Sequence, residues 1–325
     1  MGLLPDLSIV IVSYNTKDLT RKCLKSIERY SDRIDYEIIM VDNGSKDGSP
    51  DMVDKDFPNV DLIRLPENRG FAGGNIPGMK SARGRYVLLL NSDTFFSEGV
   101  LKKTISYMDN NPGAGVLGCK LTNPDGTMQA SARMLPGPLN KILHITGLTA
   151  HFPKSRFFGR VDFSWWDHSE PRNVGWVVGA FFLIRKKVME EIGYLDDRYF
   201  LYFEEIDFCL RARRAGWNIV FFPYAQVIHL GGQSSSDRRK DPSRSMQINS
   251  IRITSEFRYY RKLYNLLYVL LSASIEFFWS MIVYLKNSIN FSEKGIYKRS
   301  EAITNMKLIV STLIRDRFGK GREKH

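Results

Sequence analysis

The chain is expected to fold as an α/β protein, a largely parallel sheet covered on both faces by helices and followed by a helical appendage. Three observations predict this. From residue 7 to about residue 120, short β-rich apolar runs alternate with helical patterns, which is how strand–helix–strand units are written. Two of those runs end on polar, acid-bearing residues, Asp42 after 36–41 and Asn91-Ser92-Asp93 after 86–90. Ligands of an open α/β sheet bind outside the carboxyl ends of its strands, so both acids are expected at a binding edge. The last ninety or so residues are helical in pattern and carry most of the positive charge.

In chain order, a strand is expected over 7–12 and a helix over 19–27, then strand 36–41 and helix 52–57. Strand 60–65 and helix 72–82 follow, then strand 86–90 and helix 100–108. Turn signals punctuate the series at Asn43-Gly44, Asp47-Gly48 and Pro124-Asp125-Gly126. The stretch 133–175 holds Pro136, Pro138, Pro153 and Pro171 without a sustained period, and reads as a long irregular connection of the kind that lines or covers a site. A strand over 177–185, a helix over 205–215 and a strand over 219–222 complete a first domain, 1–235. After Gly231-Gly232, a Ser/Asp/Arg run to about Arg244 reads as a linker into the helical tail, 236–325.

With 325 residues, 43% of them hydrophobic, the chain has ample material for a packed core, which excludes a disordered protein. Its three cysteines, Cys23, Cys119 and Cys209, are far apart, giving neither a disulfide framework nor a C-x-x-C metal spacing, and fit a reducing cytosol. Residues 1–6 lack a basic segment followed by an apolar one, and Asp6 stands where a myristoylation signal needs Ser or Thr, so no export signal is expected. The net charge is +12, yet residues 236–325 hold 18 Lys or Arg against 8 Asp or Glu, a balance of +10. The charge therefore belongs to the tail.

Six stretches carry a family likeness: Ser8-Ile9-Val10-Ile11-Val12-Ser13-Tyr14-Asn15, Val41-Asp42-Asn43-Gly44-Ser45, Glu67-Asn68-Arg69-Gly70-Phe71-Ala72-Gly73-Gly74-Asn75, Leu90-Asn91-Ser92-Asp93, Phe200-Leu201-Tyr202-Phe203-Glu204-Glu205-Ile206-Asp207 and Ile228-His229-Leu230-Gly231-Gly232. Together, and in this order, they closely resemble the family-2 glycosyltransferases, especially the rhamnosyltransferase-like branch, over about residues 5–235. The resemblance implies a GT-A fold, a Rossmann-like nucleotide-binding mixed sheet flanked by helices. It further implies a nucleotide-diphosphate sugar donor, a divalent cation (Mn²⁺ or Mg²⁺) and inversion at the anomeric carbon.

Moving a sugar off a diphosphate develops negative charge on the leaving group, which a cation held by a carboxylate stabilises. Asp93 is the expected cation ligand; where relatives commonly have the first acid of Asp-x-Asp this chain has Asn91, which is assigned with Ser92 to the donor sugar or ribose. Asn-Ser-Asp as a plain helix cap is the structural alternative. His229, by family spacing from the acidic pair, is the expected imidazole partner of Asp93. Asp42 is placed to accept from the base or ribose, Ser13 and Tyr14 offer backbone contacts and a stacking face, and the likeness adds Asn68. Gly70, Gly73 and Gly74 are expected to let the chain approach the nucleotide at a helix amino end. Relatives often continue Gly-Gly-Asn-Asn, whereas here Asn75 precedes Ile76-Pro77, and a proline removes a helical hydrogen bond.

The acceptor hydroxyl must lose a proton, and Glu204 and Glu205 are the candidates to take it. The family likeness points to the second, Glu205; both acids also suit a helix amino end, a gain of about 0.3–1 kcal/mol. Asp207 precedes Arg211 by four residues, a spacing that supports a helix, and reads as structural. The family likeness puts the segment 174–182 beneath the acceptor, which makes Trp176 the candidate for stacking on an acceptor sugar ring, with plain core packing as the structural alternative.

In the tail, 266–285 contains one charge, Glu276, and is bracketed by Arg258, Arg261, Lys262 and Lys286. Its length permits a membrane span, but an acid at its middle opposes one. Ile303, Met306, Val310, Leu313 and Ile314 share a later helical face, the make-up of an interfacial helix. An anionic membrane surface is the expected partner, with an oligomer interface and a true span as alternatives; nucleic acid is not expected, because the basic residues edge apolar helices. The resulting expectation is a metal-dependent inverting glycosyltransferase at the cytoplasmic face of the membrane. Its donor would be dTDP-rhamnose, or alternatively a UDP-hexose, and its acceptor a saccharide or lipid-linked saccharide of the cell surface. A catalytically silent nucleotide-sugar binder is the rival of another class.

Overall fold

The computed structural model describes residues 5–31, 34–231 and 242–321. The expected linker after Gly231 falls largely outside the described residues, as do the expected domain boundary and the first four residues. The opening alternation is β1 (Leu7–Ser13), α1 (Lys17–Arg29), β2 (Tyr36–Asp42), α2 (Ser49–Asp56), β3 (Val60–Arg64), α3 (Gly70–Ser81), β4 (Tyr86–Asn91), β5 (Thr94–Phe96) and α4 (Val100–Asn110). It continues with β6 (Ala114–Thr122), β7 (Met128–Gln129), β8 (Ala132–Arg133), α5 (Pro138–Ile145), α6 (Leu148–His151), β9 (Arg172–Asn173), β10 (Trp176–Val177) and β11 (Phe181–Arg185). The remainder is α7 (Lys186–Ile192), α8 (Glu204–Arg214), β12 (Asn218–His229), α9 (Pro242–Leu263), α10 (Leu266–Asn287) and α11 (Glu293–Arg315).

The main sheet has the order β3-β2-β1-β4-β11-β6-β12-β5, with β7 beside β6 and β9 beside β12, and β8 and β10 form a separate pair. The β3 to β4 half is parallel, as is β6 with β12, while β11 runs antiparallel between β4 and β6. A parallel sheet needs helices on both faces, and the sequence supplies them. On one face Ile9, Ile11, Met40 and Leu88 pack with Cys23, Leu24 and Ile27 of α1 and with Leu101 and Ile105 of α4. On the other, α3 lies so close that a Cβ on Gly78 would come within 2.4 Å of Val10, and one on Gly74 within 2.8 Å of Val12. Gly74 thus serves helix–sheet packing, a role the nucleotide-based reading of that glycine did not anticipate.

Three local differences have physical reasons. The apolar run expected as one strand over 177–185 is two, because Val177 pairs with Ala132 whereas Phe181 pairs with Leu90, and both partners bury it. The strand at 219–222 extends to His229 across an irregularity between Phe222 and Gln226, where Pro223 has no N–H for the ladder. Helix α3 runs on through Pro77, as the helix expected over 72–82 requires. Within 133–175 the chain forms α5, opened by Pro138 in its first turn, and α6.

The chain forms two compact units. Unit 1 comprises 1–133, 166–200 and 204–236 and contains both sheets; unit 2 comprises 134–165, 201–203 and 237–325. Inside unit 2, Lys141 of α5 lies 2.9 Å from Glu256 of α9 and 2.6 Å from Glu276 of α10, and Arg252 of α9 also pairs with both acids. Arg258 of α9 is 2.6 Å from Asp316, just beyond α11.

Candidate functional site

Strand register brings the candidates to one edge of unit 1. Ser13 stands opposite Asp42 across β1 and β2, and Val12 opposite Asn91 across β1 and β4, so the three strands end together. The loops beyond them are laced: Asn15, at φ 53°, donates its amide to Ser45 and accepts from the Lys46 amide at 2.8 Å. Asn tolerates that left-handed conformation better than most residues. The Ser13 hydroxyl is fully buried and shared with Thr16 and Thr20, and Thr16 passes the network on to Ser92 at 3.1 Å. Ser13 therefore shapes the edge, while Tyr14 is 46% exposed and presents its ring.

Asp42 is buried; Oδ2 accepts from the Ser45 amide at 3.1 Å, and Oδ1 is shut off from solvent without a hydrogen-bond partner. A buried carboxylate oxygen left this way costs free energy until a donor arrives, which suits a base or ribose hydroxyl. Next to it, Asn43 donates to Asn68 and to the Gly70 carbonyl and accepts from the Arg69 amide, while Asn68 accepts from the Gly70 amide. Asn43 and Asn68 together hold the entry to α3. The spacing suggested only a turn at Asn43.

On the other side of β1, Asp93, Asn91 and His229 come together. His229 Nε2 lies 3.4 Å from Asp93 Oδ1 and 3.5 Å from Asn91 Nδ2, and the Leu230 amide donates to the Asp93 carbonyl at 3.0 Å. Gln129 orients the imidazole. Its Nε2 donates to the His229 carbonyl and to Asn123, each at 2.7 Å, which leaves Oε1, 2.8 Å from Nδ1, to accept the ring proton. Nε2 then carries its lone pair toward Asp93, the tautomer a metal ligand needs. A carboxylate and an imidazole fit a divalent cation whose other positions a diphosphate and water would fill. Among the described residues there is no cluster of three His, Cys, Asp or Glu that would hold a metal unaided.

Glu204 and Glu205 open α8, and Tyr202 and Phe203 just before them both have positive φ, 67° and 72°. Two consecutive non-glycine residues there store strain, a common property of functional segments. Burial drives the Glu205 carboxyl up to about 7, an effect its own amide and the Arg133 charge only partly oppose, and Oε2 has no hydrogen-bond partner. Arg133 stands opposite Trp176 across β8 and β10, its guanidinium 5.7 Å from the indole ring. Trp176, Arg133 and Glu205 thus share one neighbourhood, and α8 packs on β10. Asp207 is fully buried and paired with Arg211 at 2.7 Å, as the spacing indicated, and accepts from Tyr199.

Gln129 and Arg133 escaped sequence reading because two-residue strands carry no period; the turn at Pro124-Asp125-Gly126 was the one signal that the chain doubles back there. The three cysteines are buried, and burial pushes each thiol up, so none is a nucleophile.

Comparison with known proteins agrees with this geometry. The model of glycosyl transferase family 2 matches residues 8–193, more than half of the chain, and that of glycosyl transferase family group 2 matches residues 149–302. The N-acetylglucosaminyl-diphospho-decaprenol L-rhamnosyltransferase of Mycobacterium tuberculosis is 28% identical over 248 residues, 73% of this chain and 79% of that protein. The mannosyltransferase PcManGT from Pyrobaculum calidifontis, solved with GDP-Man and Mn²⁺, superposes with TM-score 0.54 at 14% identity, covering 96% of this chain and 88% of its own. GalNAc-T7, solved with UDP, GalNAc and Mn²⁺, gives 0.58 at 15% identity over 98% of this chain and 59% of its own. The chain belongs to glycosyl transferase family 2: it is a glycosyltransferase with the GT-A fold, similar to the rhamnosyltransferase-like branch.

Proposed function

We propose that the chain transfers L-rhamnose from dTDP-rhamnose to a hydroxyl of a lipid-linked saccharide, with inversion and with a divalent cation, Mn²⁺ or Mg²⁺. The observation that carries this reading is the convergence of Asp93, Asn91 and the Gln129-oriented His229 on the edge where Asp42 keeps an unpartnered oxygen. The printed activity of the mycobacterial relative supports the sugar and a lipid-linked acceptor, and the Mn²⁺ in two structural neighbours supports the cation. With a lipid-linked acceptor, the proposed place of the reaction is the cytoplasmic face of the cell membrane.

Asp42 and the Tyr14 ring receive the nucleoside, and Asn91 and Ser92 meet the donor sugar or ribose. Asp93 and His229 would hold the cation, which would supply charge neutralisation for the leaving diphosphate. Trp176 carries the acceptor ring beside Glu205. The Glu205 carboxylate takes the hydroxyl proton as that oxygen bonds to the anomeric carbon from the face opposite the leaving group; the carbon–oxygen bond to the diphosphate breaks, and its electron pair leaves with the nucleoside diphosphate. With its carboxyl near pH 7, Glu205 is a stronger base than an ordinary carboxylate.

The test is turnover of dTDP-, UDP- and GDP-sugars on a polyprenyl-diphosphate saccharide with Mn²⁺ or Mg²⁺, wild type against Asp93→Ala and Glu205→Gln. Release of dTDP lost in both variants upholds the reading. Release of UDP instead moves the donor to a UDP-hexose, and nucleotide binding without turnover of any donor makes the chain a silent binder.

A further inference from the structure

We infer that helix α10 is an in-plane docking element for an anionic phospholipid monolayer, seated by its apolar face and by the turn that follows it. The inference stands on unit 2 alone and on an inverted distribution of polarity. The buried side of α10 is made of small and polar residues, Ser272, Ala273, Glu276, Ser280 and Asn287, together with Val269. The exposed side carries Leu267 at 59%, Leu270, Leu271, Phe278 at 55%, Ile282 and Leu285 at 58%. These six fall at i, i+3, i+4, i+11, i+15 and i+18, one stripe of a helix with 3.6 residues per turn that also includes the exposed Ser274 at i+7. A water-soluble helix places those two sets the other way round. Ile289 and Phe291, 83% and 80% exposed in the turn before α11, extend the apolar surface, and Ile296, Val310 and Ile314 add exposed positions on α11.

Burial of Glu276 explains how the stripe stays free of charge. Its carboxylate lies 2.6 Å from Lys141 and also pairs with Arg252, so the one acid of α10 is turned into unit 2. Helix α10 is long and apolar enough to cross a membrane. Crossing would strip Glu276 from both cations and leave a bare carboxylate in hydrocarbon, whereas lying in the interface keeps the pairs intact.

The occupant is a lipid surface and not a second copy because of the surrounding charge. Lys286, Lys294, Lys298, Lys307 and Arg315 are exposed on α10 and α11, against Glu293 and Glu301, in a tail of balance +10. Two such faces brought together repel, whereas anionic headgroups attract them.

The experiment uses the purified full chain with vesicles of phosphatidylcholine alone and of phosphatidylcholine mixed with phosphatidylglycerol, read by co-sedimentation and therefore independent of turnover. Binding to the mixed vesicles, weaker to neutral ones and in high salt, is expected, with loss of about tenfold or more in Phe278→Glu/Ile282→Glu. Both side chains are exposed, so an unchanged melting curve and circular dichroism spectrum are expected for this variant. Lys294→Glu/Lys298→Glu should remove the preference for the anionic vesicles. Absence of vesicle binding, or a dimer in sedimentation equilibrium that Phe278→Glu/Ile282→Glu dissociates without any vesicle binding, overturns the inference. So does native membrane-bound chain that resists alkaline carbonate, the behaviour of a span.

Discussion

The Phe71 amide donates to the Phe200 carbonyl at 2.8 Å, and this bond closes over Gly70, where a Cβ would come within 1.9 Å of the same carbonyl oxygen. Two motifs far apart in sequence are joined there: the start of α3 and the segment that leads into Glu204 and Glu205.

Gly70 also sits at φ 73°, so Gly70→Ala faces both backbone strain and collision. A loss of about 2–4 kcal/mol in stability is expected. Turnover should fall about tenfold or more in the molecules that remain folded, because Phe200 carries the acids with it. Thermal melting and single-turnover rates measure the two separately.

Glu205 sets a pH signature. Activity should climb as pH rises through about 7, where the carboxyl loses its proton, and Glu205→Gln should abolish both the climb and the turnover. Stability moves the opposite way. A carboxyl held higher in the fold than in the unfolded chain favours the fold fully below pH 4.5, and that contribution is lost by about pH 7. Glu205→Gln should therefore melt higher than wild type at pH 8, and the gain should vanish near pH 4.

Gln129→Ala leaves the His229 ring without the acceptor that selects its tautomer. Mn²⁺ affinity in the presence of nucleoside diphosphate should weaken about 10–100-fold, with melting temperature nearly unchanged. Isothermal titration reads the first and calorimetry the second; full Mn²⁺ affinity in the variant would remove Gln129 from the site.

In unit 2, burial alone would raise the Glu276 carboxyl, but Lys141 and Arg252 override it and hold it down at about 2. The stability it contributes is present above pH 4.5 and is lost as pH falls toward 2. Lys141→Met should cost about 3–5 kcal/mol at pH 7 by leaving buried acids short of a partner. Denaturant unfolding at pH 7 and pH 3 should find the difference shrinking at the lower pH.

The parallel half of the sheet was legible because strands buried on both faces are written as apolar β-branched runs, and the helices between them as periodic ones. Ser13, Asp42 and Asn91–Asp93 were legible for a related reason: each closes such a run, and in a parallel sheet all run ends share an edge. Residues such as Gln129, Asn43 and Arg133 were not, since they act through partners 100, 25 and 43 positions away in the chain and sit in turns or two-residue strands.

Charge and hydropathy told from the sequence alone that the tail is basic, helical and apolar in its middle. Which side of α10 faces inward, and that Glu276 and the serines Ser272 and Ser280 occupy that side, was decided by packing. An isolated helix has no inside, and the buried cations that claim the acid, Lys141 and Arg252, come from two other helices.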